Sequence, residues 1–402
     1  MTSFSVFPSA YSNVVSGFRK GASGRFEMLS IKGMFDSIAI SNYTEQDCDN
    51  SYNTATAPEM QTLRIVHVFF TCSGLLACSL FIYVLQHRSS SNLHINLRLS
   101  LTSLSIAAII ACAQLLFIAI YNFIRTISMD DKCNAIIDAK TCAVIRWPVV
   151  LAIYATLAGI ICLAIERTIA TIRYRSYETH GSRKVSLLLI AAQWIISLAI
   201  SFTSLFLRAD DGFLLYCTVY ISHPKSAVVS LSIMNVLELF ILLFFASLLQ
   251  INRRNQVREF VNCARHTLTE RYQLIENIRM IHILIPSVMV HAALSLFGLG
   301  TLLAFALIET EMTADSIGRF APFSELVLLI VPIYSVVFTL VAVGWNKPLR
   351  NAARCALPCL FTASEEERSM RVEPPLLTSR DSAEMQQDSD RHFGLLDKMW
   401  AK

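Results

Sequence analysis

Seven stretches of this chain run with almost no charge: residues 65–85, 99–120, 147–165, 185–207, 227–249, 281–308 and 323–343. Each is near or above the roughly 18–20 residues that cross about 30 Å of hydrocarbon as an α-helix. One or two such helices fit inside a large soluble core, but seven leave too little polar surface to dissolve the protein. Only 16% of the 402 residues are charged, against about 25% in an average soluble protein. A membrane barrel would need short segments of alternating polarity, and these blocks are continuously apolar. The sequence therefore predicts an all-α membrane protein, a bundle of seven transmembrane helices.

The basic residues orient the bundle. Arg167, Arg173, Arg175, Arg183 and Lys184 lie between the third and fourth blocks, and Arg253, Arg254, Arg258, Arg265, Arg271 and Arg279 between the fifth and sixth. The segments on the other side hold fewer, among them Arg125, Lys132, Lys140, Arg208, Lys225 and Arg319. By the positive-inside rule the Arg-rich loops face the cytoplasm, which places the N-terminus outside and the C-terminus inside. Residues 1–30 contain no apolar signal-peptide core, so the first span is expected to act as the signal-anchor. Met28 or Met34 is an alternative start to Met1.

Four regions follow. Residues 1–61 read as an extracellular segment, mostly disordered, with one glycosylation sequon at Asn42-Tyr43-Thr44. Residues 62–346 form the seven-span domain. Residues 347–361 place Leu349, Ala353 and Ala356 on one helical face beside Lys347, Arg350 and Arg354, the pattern of a short amphipathic helix on the inner leaflet. Cys355 and Cys359 in that helix are candidates for lipidation, with two ordinary thiols as the alternative. Residues 362–402 are charged, polar and without periodicity, as in a disordered cytoplasmic tail.

Of eleven cysteines, Cys48, Cys133, Cys142 and Cys217 fall on the expected outer side, where three pairings are possible. Cys142 sits just above the third span and Cys217 lies in the loop between the fourth and fifth. A Cys142–Cys217 bridge would tie that loop over the bundle centre, with Cys133 as the competitor of Cys142.

The motifs of common hydrolases, nucleotide-binding enzymes and metal centres are missing from the sequence, so neither enzymatic activity, a metal nor a cofactor is expected. Ionisable residues within the spans are few, and each is costly unless it faces the bundle interior or water. Glu238 lies near the middle of the fifth span and His291 within the sixth; Arg146 opens the third and Glu325 stands near the outer end of the seventh. All four are candidates for a ligand cavity open to the outside. For Arg146 and Glu325 the competing expectation is an interfacial side chain that snorkels to water.

The third span ends in Glu166-Arg167, an acidic-Arg pair at the expected cytoplasmic end. That position and chemistry resemble the signature of G-protein-coupled receptors, with Thr168 where rhodopsin-like receptors usually have Tyr. The longer string "IERTIATIRYRSYE" resembles the nematode serpentine chemoreceptors of the Sra superfamily, the Srab and Sra groups in preference to Sre. "NLHINL" (92–97), "KCNAIIDAKTCAVIRW" (132–147) and "LTERYQLIENIR" (268–279) are similar to the same superfamily at the same places. The resemblance covers roughly residues 63–350. "VPIYSVVF" (331–338) lacks the Asn-Pro-x-x-Tyr of rhodopsin-like receptors, so their switch details do not carry over.

The resemblance implies a chemosensory receptor that binds an extracellular small molecule or pheromone-like ligand and activates a heterotrimeric G protein. It also implies a place in the plasma membrane, in the cilia of sensory neurons, and no partnership with nucleic acid. A seven-span channel or transporter gated by ligand without a G protein is the alternative. Arg167 needs an anionic partner among the helix ends, and Glu276, where the sixth span enters the membrane, is the expected one. An Arg167–Glu276 contact would hold the third and sixth spans together at rest, with Arg167 snorkelling to lipid phosphates as the alternative.

Overall fold

A computed structural model of the chain describes residues 43–87, 95–172, 182–206, 212–218, 224–261, 268–308, 314–345 and 347–356. Among these residues seven helical spans are long and apolar enough to cross a membrane. The first five are Pro58–Gln86, Ile95–Ile127, Ala139–Ile172, Ser182–Leu205 and Pro224–Val261. The sixth is Leu268–Ile308, and the seventh is built from two helices, Ala314–Leu328 and Ile330–Trp345. Large apolar side chains such as Ile65, Phe69, Leu188, Phe240 and Leu340 point away from the bundle and are exposed. In hydrocarbon such side chains carry no hydrophobic penalty, so the outside of the bundle is as apolar as its core.

Spans pack closely where small residues let backbones approach. A Cβ on Gly159 would stand 2.6 Å from Leu104 Cδ2 and 2.7 Å from Gln193 Nε2. The same Gln193 stitches three spans together: Nε2 donates to the Ala155 carbonyl at 2.9 Å, and Oε1 accepts from Ser103 at 3.0 Å. Trp194 Nε1 completes the set by donating to Ser103 Oγ at 3.1 Å. Interhelical hydrogen bonds of this kind substitute for the hydrophobic driving force that lipid removes.

The interruption of the seventh span follows from Pro332. Proline has no N–H to give to the carbonyl of Leu328 and its ring crowds that carbonyl. The chain accordingly turns at Leu329 before the helix resumes at Ile330.

The two ends of the bundle differ. One, the disulfide end, carries bridges Cys48–Cys133 and Cys142–Cys217. A two-stranded antiparallel ribbon there pairs Ile137 with Leu214 and Asp138 with Phe213. A helix not expected in the sequence, Glu45–Thr56, also lies there. The segment to residue 61, read as mostly disordered, therefore holds regular structure from residue 45, and the first span begins at Pro58, whose ring suits a first helical turn. Ser51 on the short helix donates to the Leu215 carbonyl at 2.8 Å, and Met60, Ile137, Leu214 and Phe320 pack as a core of their own. The opposite end, the arginine end, carries the helix Lys347–Ala356. Its Leu349, Ala352 and Ala353 are buried, whereas Arg354 and Cys355 are exposed.

Candidate functional site

Besides the Gln193 set, the described residues place buried polar side chains at three further levels of this apolar bundle. At the disulfide end Glu325 of the seventh span is the centre. Its Oε1 accepts from Arg146 Nη2 at 2.6 Å and from the Tyr216 hydroxyl at 2.6 Å. Arg146 Nη2 also donates to the Cys217 carbonyl at 2.9 Å, and His67 Nε2 donates to the Glu325 carbonyl at 2.8 Å. The Arg146 and Glu325 side chains are 4% and 9% exposed. The competing expectation of snorkelling is thus set aside for this pair: the two charges are buried and paired with each other, the condition under which buried charges persist. Burial, and next the Glu325 carboxylate, push the Tyr216 phenol well above its ordinary range. Tyr216 therefore stays protonated and acts as a donor.

Midway along the bundle Glu238 and His291 form the second set. His291 Nδ1 lies 3.1 and 3.2 Å from the two Glu238 oxygens. The His291 ring meets Tyr334 edge-on at 4.9 Å. All three line a cavity of about 120 Å³ whose other walls include Ala152, Thr156, Met234 and Leu328. Leu328 and Ile330, on either side of the break at Leu329, both line it. Of the four sequence candidates for a ligand cavity, Glu238 and His291 line this one; Arg146 and Glu325 belong to the hub at the disulfide end.

At the arginine end Arg167 is 3% exposed and Glu166 1%. Arg167 Nε and Nη2 donate to the two Glu166 oxygens at 2.6 and 2.5 Å, so the neighbouring carboxylate supplies a fork-shaped partner on the same helix. This burial replaces the expected alternative of snorkelling to phosphates. Arg167 Nη1 also reaches Asn277 Oδ1 at 3.4 Å. Asn277 Nδ2 donates to Thr171 Oγ1 and Asn252 Oδ1, both at 3.0 Å, and Asn252 Nδ2 donates to Thr171 Oγ1 at 2.9 Å. The third, fifth and sixth spans are thereby joined. The side chain of Glu276 lies outside the described residues, as do Asn42 and Cys359; Cys355 is an exposed free thiol.

Sequence reasoning passed over Tyr216, His67, Thr171, Asn252 and Asn277. The asparagines carry a legible signal, an amide within a helix end rather than a loop, but neutral residues there read equally well as interfacial.

The family model for the serpentine type 7TM GPCR receptor class ab chemoreceptor matches residues 45–367. Serpentine receptor class alpha/beta-14 of Caenorhabditis elegans is 52% identical over 372 residues, covering 91% of this chain and 96% of that one. Serpentine receptor class beta-16 of the same organism is 25% identical over 238 residues, 58% of this chain and 66% of that one. Serpentine receptor class epsilon-21, also from that organism, is 28% identical over 134 residues, 33% of each chain.

Proposed function

Because the chain belongs to the serpentine class ab chemoreceptor family of seven-span receptors, we propose that it takes a small molecule into the Glu238–His291 cavity and signals to a heterotrimeric G protein at the arginine end. The disulfide end is then extracellular, where disulfides persist. The arginine end is cytoplasmic, beside the Arg-rich connections.

One observation carries this reading. The three helices that contribute Thr156, Glu238 and His291 to the cavity are the same three that Arg167, Thr171, Asn252 and Asn277 join at the other end. Eleven residues separate Thr156 from Arg167, and fourteen separate both Glu238 from Asn252 and Asn277 from His291. At about 1.5 Å per residue the two sites lie roughly 16–21 Å apart along shared rigid elements. A ligand that favours a different spacing of these spans at the cavity shifts the population in which the network at the far end is open. Opening exposes Arg167 and the inner faces of the fifth and sixth spans to a G protein.

The test is expression with a panel of G-protein α subunits and a library of small odorants, read as second messenger. A ligand-evoked response that requires one α subunit supports the proposal. Ligand-evoked current in cells without any added or endogenous G-protein coupling would support the channel or transporter instead.

A further inference from the structure

A second cavity, of about 30 Å³, lies at the disulfide end, lined by Arg64, Asn122, Arg125, Thr126 and Tyr216 among others. Among the described residues no carboxylate lines it. Arg64 on the first span is 6% exposed. Its Nη1 donates to Thr126 Oγ1 at 2.7 Å, a neutral acceptor, and its Nε has no acceptor among the described residues. Arg125 is directed at neutral groups as well, donating to the carbonyls of Asn134 and Ile136. Arg146, bonded to the carbonyl of the Cys217 that also borders this cavity, keeps Nε and Nη1 without acceptors among the described residues.

The charges here do not balance. Among the described residues the two buried guanidinium groups at this end, Arg64 and Arg146, have one buried carboxylate near them, Glu325, and its Oε1 is already taken by Arg146 and Tyr216. Guanidinium groups stay charged at any physiological pH. A buried one without an anion is costly enough that proteins pair it or hydrate it. The polar side chains of Arg64, Asn122, Thr126 and Tyr216, an excess of buried positive charge and room for one small occupant therefore coincide at one place.

We propose that this cavity holds one monoanion of chloride size, gripped by Arg64 and by the polar wall of Asn122 and Thr126. Its volume takes a single ion or water and excludes an odorant-sized carboxylate. Tyr216 borders the ion on one side and donates to Glu325 on the other. The ion thus steadies the first two spans against the loop that Cys217 anchors, and it links the ionic medium at this end to the Arg146–Glu325 hub.

Purified full-length receptor is melted in sodium chloride, sodium bromide and sodium gluconate at equal ionic strength, and then titrated from gluconate into chloride. The melting temperature is expected to rise by several degrees in chloride and bromide, saturating as a single site does. Arg64→Gln should abolish the difference between salts, and Asn122→Leu, which keeps the charge, should shift the chloride titration to higher concentration. Lys132→Gln, at an exposed position of the same end, should leave it unchanged. Equal melting of the unaltered receptor in chloride and gluconate would assign the cavity to water and overturn the proposal. So would a chloride effect undiminished in Arg64→Gln.

Discussion

Arg146 and Glu325 are 179 residues apart in the chain, yet a nitrogen of one stands 2.6 Å from an oxygen of the other inside the bundle. Removing one member leaves the other charge buried and unpaired, which costs about 3–5 kcal/mol. Glu325→Gln and Arg146→Gln are each expected to lower melting temperature and surface level sharply. The apolar double replacement, Arg146→Met with Glu325→Leu, should recover much of that loss, because it removes both desolvation costs together. Melting curves of the three variants decide the matter, and a Glu325→Gln receptor as stable as the unaltered one would show that the pair is energetically idle.

The network at the arginine end holds three spans with two amides, one hydroxyl and a long contact from Arg167 to Asn277, so each bond contributes modestly. A hydrogen bond of this kind is worth about 1 kcal/mol, or roughly fivefold in an equilibrium. Asn277→Leu should therefore raise basal second-messenger output several-fold, and Glu276→Gln should do the same if Glu276 also restrains the sixth span. Arg167→Ala combined with Glu166→Ala, which leaves no buried charge unpaired, should remove signalling while ligand binding survives. Unaltered basal output in a well-expressed Asn277→Leu receptor would remove the network from the switch.

Filling the cavity tests its role without touching its charges. Ala152 is fully buried on the cavity wall, and Ala152→Leu puts three further carbons into the space. Cavity-filling replacements commonly add about 0.5–2 kcal/mol of stability. The expected variant melts at or above the parent temperature and has lost its response to any odorant that activates the parent. A full response with unchanged potency would place the ligand elsewhere.

Thr44 has two duties, which constrains how glycosylation is tested. It completes the sequon at Asn42, and it caps the Glu45–Thr56 helix in a reciprocal pair with Asp47. Thr44 N donates to Asp47 Oδ2 at 2.9 Å while Asp47 N donates to Thr44 Oγ1 at 3.3 Å. Asn42→Gln should remove a glycosidase-sensitive mass alone. Thr44→Ala should remove the same mass and also cost about 0.5–2 kcal/mol through the cap; Thr44→Ser should keep both. Equal melting of Asn42→Gln and Thr44→Ala would show that the cap carries no weight.

Periodicity and charge made the spans legible because lipid punishes every exception: seven apolar blocks have few folds open to them. The Glu238–His291 pair was legible in part, since an ionisable residue in hydrocarbon invites a partner, but only tertiary structure says which. The Glu45–Thr56 helix was not legible. Its sequence is polar on most sides, and its position depends on Cys48, Ser51 and the loop they meet, contacts that span 85 and 164 residues. Snorkelling was a fair expectation for Arg146 and Glu325 taken singly. Their pairing depends on where the seventh span falls beside the third, which no local pattern encodes.

The bridges divide the bundle mechanically. Cys48–Cys133 spans 85 residues and closes a ring around the first two spans, while Cys142–Cys217 spans 75 and closes another around the third and fourth. The rings follow one another without interlocking, so each can shut as soon as its own pair of helices has been threaded into the membrane, before the rest of the chain is made. Each removes about 4–5 kcal/mol of chain entropy from the unfolded state in the loop-closure account. The fifth, sixth and seventh spans lie outside both rings. Four helices are thus covalently braced, while the remaining three, among them the one broken by Pro332, are held to them by side-chain contacts such as Arg146–Glu325 and lie outside both rings.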